Sequence, residues 1–249
     1  MAQAVPASAP RFCVAQIGLA EGAEVALPDA AAHHAARVLR LAVGDAVTLF
    51  DGRGGEYAAL LLQVDKRGVR ARIDHFDPVE RETPHAPILA MSVIATDTMD
   101  IALRKAVELG VASIEPVAAA RSQGSAGGER AIRRVAHWRQ IAQAACEQCG
   151  RNRIPPVADI VGLDAWLANV ADGAVMLLPA APRSLAALAS ERAPRALLVG
   201  PEGGFTAGEQ QLGECRGVAI AHIGPRVLRA ETAAIAALAI VAAVGGDLR

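Results

Sequence analysis

The chain has 249 residues, of which 53% are hydrophobic and 20% charged, and its formal net charge is −1. This balance excludes a disordered chain, and at this length folding hides roughly 70–75% of the extended surface, ample for one large core or two smaller ones. The longest unbroken apolar run, Ala233 to Val244 with 12 residues, is too short for the ~20 that a membrane span needs.

In chain order, Met1 to Pro10 lacks a basic n-region and an apolar h-region, so it reads as a loose tail rather than an export signal. Residues 28–40 are expected to be helical. Pro28 suits a helix start, and Ala32, Ala35, Ala36, Val38 and Leu39 form an apolar stripe. Gly44-Asp45 then turns the chain into three strands, Ala46–Phe50, Glu56–Val64 and Val69–Phe76. In the last of these, Val69, Ala71 and Ile73 alternate with Arg70, Arg72 and Asp74, the mark of a half-buried antiparallel strand. Together they predict a compact β-rich module over residues 1–80. Asp77 to Pro87, with Pro78, Pro84 and Pro87 among charged residues, is a stiffened connector.

Beyond the connector the period changes. Ile88–Ala95 is apolar nearly throughout, as in a strand buried on both faces, Asp100–Leu109 is helical and stopped by Gly110, and Ser113–Ala118 is again a strand. A long helix is expected over Glu129–Cys149. Helix Leu163–Ala171, strand Ala174–Leu178, helix Ser184–Ser190 and strand Ala196–Val199 follow. Helix Thr206–Gly213, strand Val218–Ile223 and helix Ala230–Val244 complete the chain. Strand–helix alternation with short links implies an α/β fold with a parallel sheet covered on both faces, here over residues 81–249. The final helix is apolar nearly all round, which suits burial or cover by a second subunit.

Charge is unevenly spread. Residues 121–153 carry seven arginines against only Glu129 and Glu147, a stripe able to follow a phosphate backbone or simply to form a solvated helix face. The paucity of aromatics, 3%, argues against single-strand recognition by stacked rings. Four cysteines in so long a chain do not form a disulfide scaffold, and they fit a reduced, cytoplasmic setting. Cys146-x-x-Cys149 falls inside a helix and has no paired spacing with Cys13 or Cys215, so no metal site is expected. His33-His34 reads as an exposed helix pair.

Ligands of open α/β sheets bind beyond the carboxyl ends of the strands. Three strands here end in unusual bends: Pro179-Ala180, Gly200 to Phe205, and Gly224 to Ala230. The second has a local explanation as a helix entry, because Thr206 and Glu209 make a capping box with Phe205 as staple. Glu231 at the start of a helix is favoured by the macrodipole whatever its function. Yet Gly200-Pro-Glu-Gly-Gly204 leaves backbone groups open to close approach by a ligand.

Taken together, Leu197-Leu-Val-Gly-Pro-Glu-Gly-Gly-Phe-Thr206 and Ile223-Gly-Pro-Arg-Val-Leu-Arg-Ala-Glu-Thr-Ala233 resemble the two signature motifs of the RsmE family. Its members are SPOUT-class methyltransferases that methylate N3 of a uridine in 16S ribosomal RNA. His34–Leu41 with Gly44-Asp45, Lys105-Ala-Val-Glu-Leu-Gly-Val111, and Glu147-Gln-Cys-Gly-Arg151 followed by Pro155 agree in order, so the resemblance spans about residues 11–240. The sequence departs from the family at Cys149, where Ser is usual, and at Ala120 and Ala230, where Thr is usual. Near Thr96-Asp97 it also lacks a common Lys-Gly pair.

The resemblance implies an N-terminal PUA-like RNA-binding β-barrel over 1–80 and a SPOUT methyltransferase domain over 81–249 with a C-terminal trefoil knot. It further implies S-adenosylmethionine as cofactor, 16S rRNA of the small ribosomal subunit as partner, and a homodimer, with no membrane and no metal. Leu178, Pro179, Gly200, Pro201, Glu202, Gly203, Ile223, Gly224, Val227, Leu228 and Ala230 are the expected cofactor contacts. Arg229, Glu202, Glu231 and Arg151 are expected to serve catalysis, and Arg11, Arg37, Arg40, Arg121, Arg151 and Arg153 to contact RNA. Two alternatives stay open: a SPOUT enzyme acting on another RNA position, such as a tRNA ribose 2′-oxygen, and a non-catalytic RNA-binding assembly factor.

Overall fold

The computed structural model describes residues 9–14, 19–124, 126–170 and 172–248. The tail expected at the amino terminus lies outside them up to residue 8, as does Ala171, the expected end of one helix. The chain forms two compact units, one of Met1–Glu82 with Cys146–Ile154, the other of Thr83–Ala145 with Pro155–Arg249.

The first unit is built on a five-stranded sheet. Its strands are β1 (Arg11–Cys13), β2 (Glu24–Ala26), β3 (Ala46–Phe50), β4 (Glu56–Asp65) and β5 (Gly68–Asp77). They lie in the order β1-β3-β4-β5-β2, with β1 parallel to β3 and the other pairs antiparallel. In β5 the alternation works as the sequence requires: Val69, Ala71 and Ile73 are buried against Phe12, Val25, Leu49 and Leu61, while Arg70, Arg72 and Asp74 face solvent. The expected helix over 28–40 is a short α1 (Asp29–His33) followed by a π-helical turn, His34–Val38. Its exit is closed by Arg40 at φ +55°, with the Leu41 N–H donating to the Ala35 carbonyl at 2.9 Å. That left-handed position is one glycine usually fills.

Residues 146–154 belong to this unit although the long segment Thr83–Ala145 separates them from its main part, Met1–Glu82. Polar side chains hold them. Arg11 donates to the Asn152 side-chain oxygen at 2.5 Å, Asn152 donates to the Val79 carbonyl at 2.9 Å, and Glu147 accepts the Cys13 N–H at 3.0 Å.

The second unit carries a six-stranded, all-parallel sheet: β6 (Ile88–Ser92), β7 (Ser113–Ala118), β8 (Val161–Gly162), β9 (Ala174–Leu177), β10 (Ala196–Val199) and β11 (Ala219–Ala221). Its order is β11-β9-β10-β6-β7-β8. β9 and β10 are buried at every residue, which is why they read as continuous apolar runs. The helices are α2 (Thr96–Glu108), α3 (Gly128–Cys149), α4 (Leu163–Asn169), α5 (Leu185–Glu191), α6 (Ala207–Cys215) and α7 (Ala230–Val244). In α2, Met99, Ala102, Leu103, Ala106 and Val107 are the buried face, the i, i+3, i+4, i+7 stripe of an amphipathic helix. The alanine-rich α7 packs on α2, α5 and β10. No helix of the described residues is long and apolar enough to cross a membrane.

Sheet order is what positions the site. β10 lies between β9 and β6, and β11 lies outside β9, so the bends that follow β6, β9, β10 and β11 stand side by side along one rim.

Candidate active site

A cavity of about 590 Å³ opens at that rim. Leu177, Leu178 and Pro179 from the end of β9 line it, with Val199 to Glu202, Gly204 and Phe205 from the β10 bend. Ala221 to Gly224 and Arg226 to Glu231 come from the β11 bend, Ala95 from the link after β6, and Thr98 from the first turn of α2. Ten of the eleven expected cofactor contacts border this one space. The exception, Gly203, lies against the Arg121 stem, where an added Cβ would come within 3.1 Å of Cδ.

Each bend is held locally. The Leu178 N–H donates to the Ala221 carbonyl at 2.9 Å, joining the ends of β9 and β11. In the β10 bend the Phe205 ring packs on Gly200, where a Cβ would meet it at 3.0 Å. Thr206 then caps α6: its hydroxyl accepts the Glu209 N–H at 3.2 Å and the Glu209 carboxylate accepts the Thr206 N–H at 2.7 Å. In the β11 bend Gly224 adopts φ +111°, and its N–H donates to His222 Nδ1 at 3.0 Å. With Nδ1 accepting, the neutral ring carries its proton on Nε2.

Three charged groups expected to act in catalysis border the cavity: Arg229, Glu202 and Glu231. Arg229 is the N-cap residue of α7 and is exposed. Glu202 accepts long contacts from the Ala95 N–H at 3.5 Å and the Gln123 amide at 3.4 Å. Glu231 stands in the first turn of α7, where the helix dipole favours a carboxylate. Thr98, Phe205, Gln210, His222 and Arg226 also line the space. Thr98 escapes motif reading because only the pairing of β6 with β10 brings the start of α2 beside the β10 bend.

Arg151, the fourth residue expected in catalysis, does not border the cavity. It is 5% exposed and its guanidinium engages the Glu82 carboxylate within the first unit. Arg11 is likewise paired within that unit, with Glu56 at 2.6 Å. Arg153 pairs with Glu80 at 3.0 Å but stays half-exposed, and Arg37, Arg40 and Arg121 are exposed.

Burial by itself would push the Glu56 carboxyl up. The guanidiniums of Arg81 and Arg11 more than reverse this and hold it down at about 2. Burial pushes the Cys13 and Cys146 thiols up to about 11 and about 12, which makes them inert packing groups. Among the described residues no group of three or more His, Cys, Asp or Glu side chains is placed to hold a metal ion.

A larger cavity, about 730 Å³, lies at the opposite end of the sheet, where Ile88 and Ala196 begin their strands. Size alone would favour it. The rim cavity is the better candidate because it gathers the charged side chains of Arg229, Glu202 and Glu231 at the carboxyl ends of four strands.

Comparison with known proteins bears on that choice. An RNA methyltransferase domain model matches residues 81–242 and an RNA methyltransferase PUA domain model matches residues 27–74. The ribosomal RNA small subunit methyltransferase E of Bacillus subtilis is 30% identical over 84% of this chain and 86% of its own length. The protein of that name from Mycobacterium bovis is 30% identical over 84% and 82%. This chain belongs to the ribosomal RNA small subunit methyltransferase E family.

A crystal structure of the family member from Neisseria gonorrhoeae, bound to S-adenosyl methionine, superposes with a TM-score of 0.89 at 35% identity, covering 97% of this chain and all of that one. A putative methyltransferase from Legionella pneumophila in complex with the same cofactor gives 0.89 at 35% identity over 94% and 97%. The residues here suit that molecule. The volume falls in the ~300–1,000 Å³ range of small-molecule sites. Apolar side chains and backbone groups suit an adenine and an aliphatic chain, and the carboxylates of Glu202 and Glu231 on the wall are of the sign that a sulfonium calls for.

Proposed function

We propose that this protein transfers a methyl group from S-adenosylmethionine to N3 of a uridine in 16S rRNA, with the cofactor held by the bends after β9, β10 and β11. Family membership makes it a methyltransferase of small-subunit ribosomal RNA. The observation that carries the assignment to the rim is that both signature stretches, Gly200 to Phe205 and Ile223 to Glu231, border one cavity. Leu178, Pro179, Gly200, Pro201, Ile223, Gly224, Val227, Leu228 and Ala230 hold the cofactor, largely through backbone groups.

The bound cofactor supplies an electrophilic methyl on a sulfonium. The protein contributes position and charge, and in-line positioning alone supplies much of the acceleration of such a transfer. The imide N3 of uridine is a weak acid and must lose its proton to become a nucleophile. Glu202 and Glu231 border the space in which it would lie and serve as the candidate proton acceptors. Arg229, exposed on the cavity wall, donates to the carbonyl oxygen on which the uridine anion concentrates its charge. Arg37, Arg40, Arg121 and Arg153 supply exposed cationic contacts for phosphates, which position the RNA without reading its sequence.

The finer architecture belongs to the same reading: a SPOUT domain with a C-terminal trefoil knot, working as a homodimer in the cytoplasm. The insertion of β10 between β9 and β6, with α7 packing back on α2, α5 and β10, supports such a topology. A second apolar stripe on α7, Ile235, Ala236, Ala239 and Ile240, is only half-buried and supports cover by a second copy.

The test is mass spectrometry of 16S rRNA nucleosides after incubating small subunits from a deletion strain with the protein and cofactor. N3-methyluridine is the expected product. A methyl on a ribose oxygen, or none with any RNA, replaces the reading with one of the two alternatives. Arg229→Ala is expected to abolish turnover while cofactor affinity, read by calorimetry, stays within about threefold.

A further inference from the structure

We propose that Arg121 couples RNA binding to cofactor binding: one edge of its guanidinium fixes the Gly203 carbonyl, and its remaining N–H groups take a phosphate of the substrate RNA. This rests on the methyl-transfer reading above and assigns regulation to the same site.

Arg121 sits in the connection between β7 and α3, and its Nη1 donates to the Gly203 carbonyl at 2.6 Å. Gly203 lets the arginine stem lie flat on the bend, because any side chain there would press on Arg121 Cδ and Cβ at 3.1 and 3.4 Å. The tie is reinforced on both sides. The Glu209 carboxylate that closes the α6 capping box also accepts the Ala120 N–H at 2.7 Å. The Gln123 N–H donates to the Val93 carbonyl at 2.8 Å, and Arg134 Nη1 donates to the Gln123 carbonyl at 3.0 Å. The Arg121 segment is therefore tied to the bend itself through Arg121 and through the Gln123 amide, which reaches Glu202 at 3.4 Å, and to α6, α3 and the end of β6 on either side.

The same segment opens onto a cationic surface. Arg121 is exposed, and so are Arg130 and Arg133 on the first turns of α3, with Glu129 as the acid among them. Burial first, and the Arg130 charge after it, hold the Arg134 guanidinium below its ordinary value, and the exposed arginines of this surface together attract a phosphate. A guanidinium has five N–H donors in a fixed plane, so it can serve a carbonyl and a phosphate at once. A phosphate seated there holds Arg121 against Gly203 and so fixes the cofactor bend. By linkage, the cofactor then strengthens RNA binding by the same factor.

The measurement is calorimetric titration of S-adenosylhomocysteine into the protein, alone and with saturating unmethylated small ribosomal subunits. The wild type is expected to bind about 5-fold or more tightly in the presence of particles. Arg121→Ala is expected to lose that gain. Arg121→Lys keeps the charge without the planar fork, so it should retain most of the particle affinity yet also lose the gain, with an unchanged melting temperature. A gain kept by Arg121→Lys, or absent from a wild type that still methylates rRNA, overturns the coupling and leaves the function intact. A wild type that neither binds S-adenosylhomocysteine nor methylates overturns the function itself.

Discussion

Glu56 carries the clearest pH dependence in the molecule. Arg11 approaches its carboxylate at 2.6 Å and Arg81 at 2.8 Å, and together they hold it at about 2. Since this lies below the ~4.3 of a free glutamate, the stabilisation is fully present above about pH 4.5 and is lost as pH falls toward 2. Thermal melting between pH 7 and 2.5 should show that acid limb, and Glu56→Gln should flatten it while costing about 1–3 kcal/mol at neutral pH. An acid limb unchanged in the variant would remove Glu56 as its source. At the cavity, the two carboxylates separate by kinetics. Replacing the proton acceptor with Gln should lower kcat by roughly 10²–10⁴-fold with little change in KM, whereas replacing a carboxylate that only offsets the sulfonium should act mainly on KM for the cofactor. Equal, small effects of Glu202→Gln and Glu231→Gln would leave proton removal to solvent.

At the scale of elements, the bend after β10 depends on the cap that follows it. Thr206→Ala removes the hydroxyl that accepts the Glu209 N–H and should cost ~1 kcal/mol in urea unfolding. It should also weaken cofactor binding, because Glu209 is shared with the Ala120 N–H. Thr206→Ser should restore both, and a cofactor affinity untouched by Thr206→Ala would show that the bend holds its shape without the cap. The sequence made this element readable because Thr206 and Glu209 are a local signal. Strands Ala46–Phe50, Ser113–Ala118 and Ala196–Val199 and helix Ala230–Val244 were legible to the residue for the same reason: their period or continuous apolarity is set within the segment. The three-residue strands Arg11–Cys13 and Glu24–Ala26 were not. So short a strand has no period of its own and exists only through its pairing with β3 or β5.

Long-range order was not legible in the segments themselves. Nothing local in Ala196–Val199 says that it inserts between β6 and β9, and nothing in Glu147 to Arg153 says that this stretch returns to the first unit. Both facts rest on contacts between distant residues. The return also explains why the arginine stripe is only partly available: Arg151 is spent on Glu82, while Arg121, Arg130 and Arg133 stay exposed. Association with small subunits should therefore weaken steeply as salt rises from 50 to 200 mM, by about tenfold or more for a handful of phosphate contacts. Filter binding that does not change with salt would deny the stripe its role. The most direct measurement is a crystal structure of the protein soaked with S-adenosylmethionine. The account predicts cofactor density enclosed by Leu178-Pro179, Gly200 to Gly204 and Ile223 to Ala230, with its methyl open toward Arg229; density in the cavity at the opposite end of the sheet, or none at the rim, would contradict it.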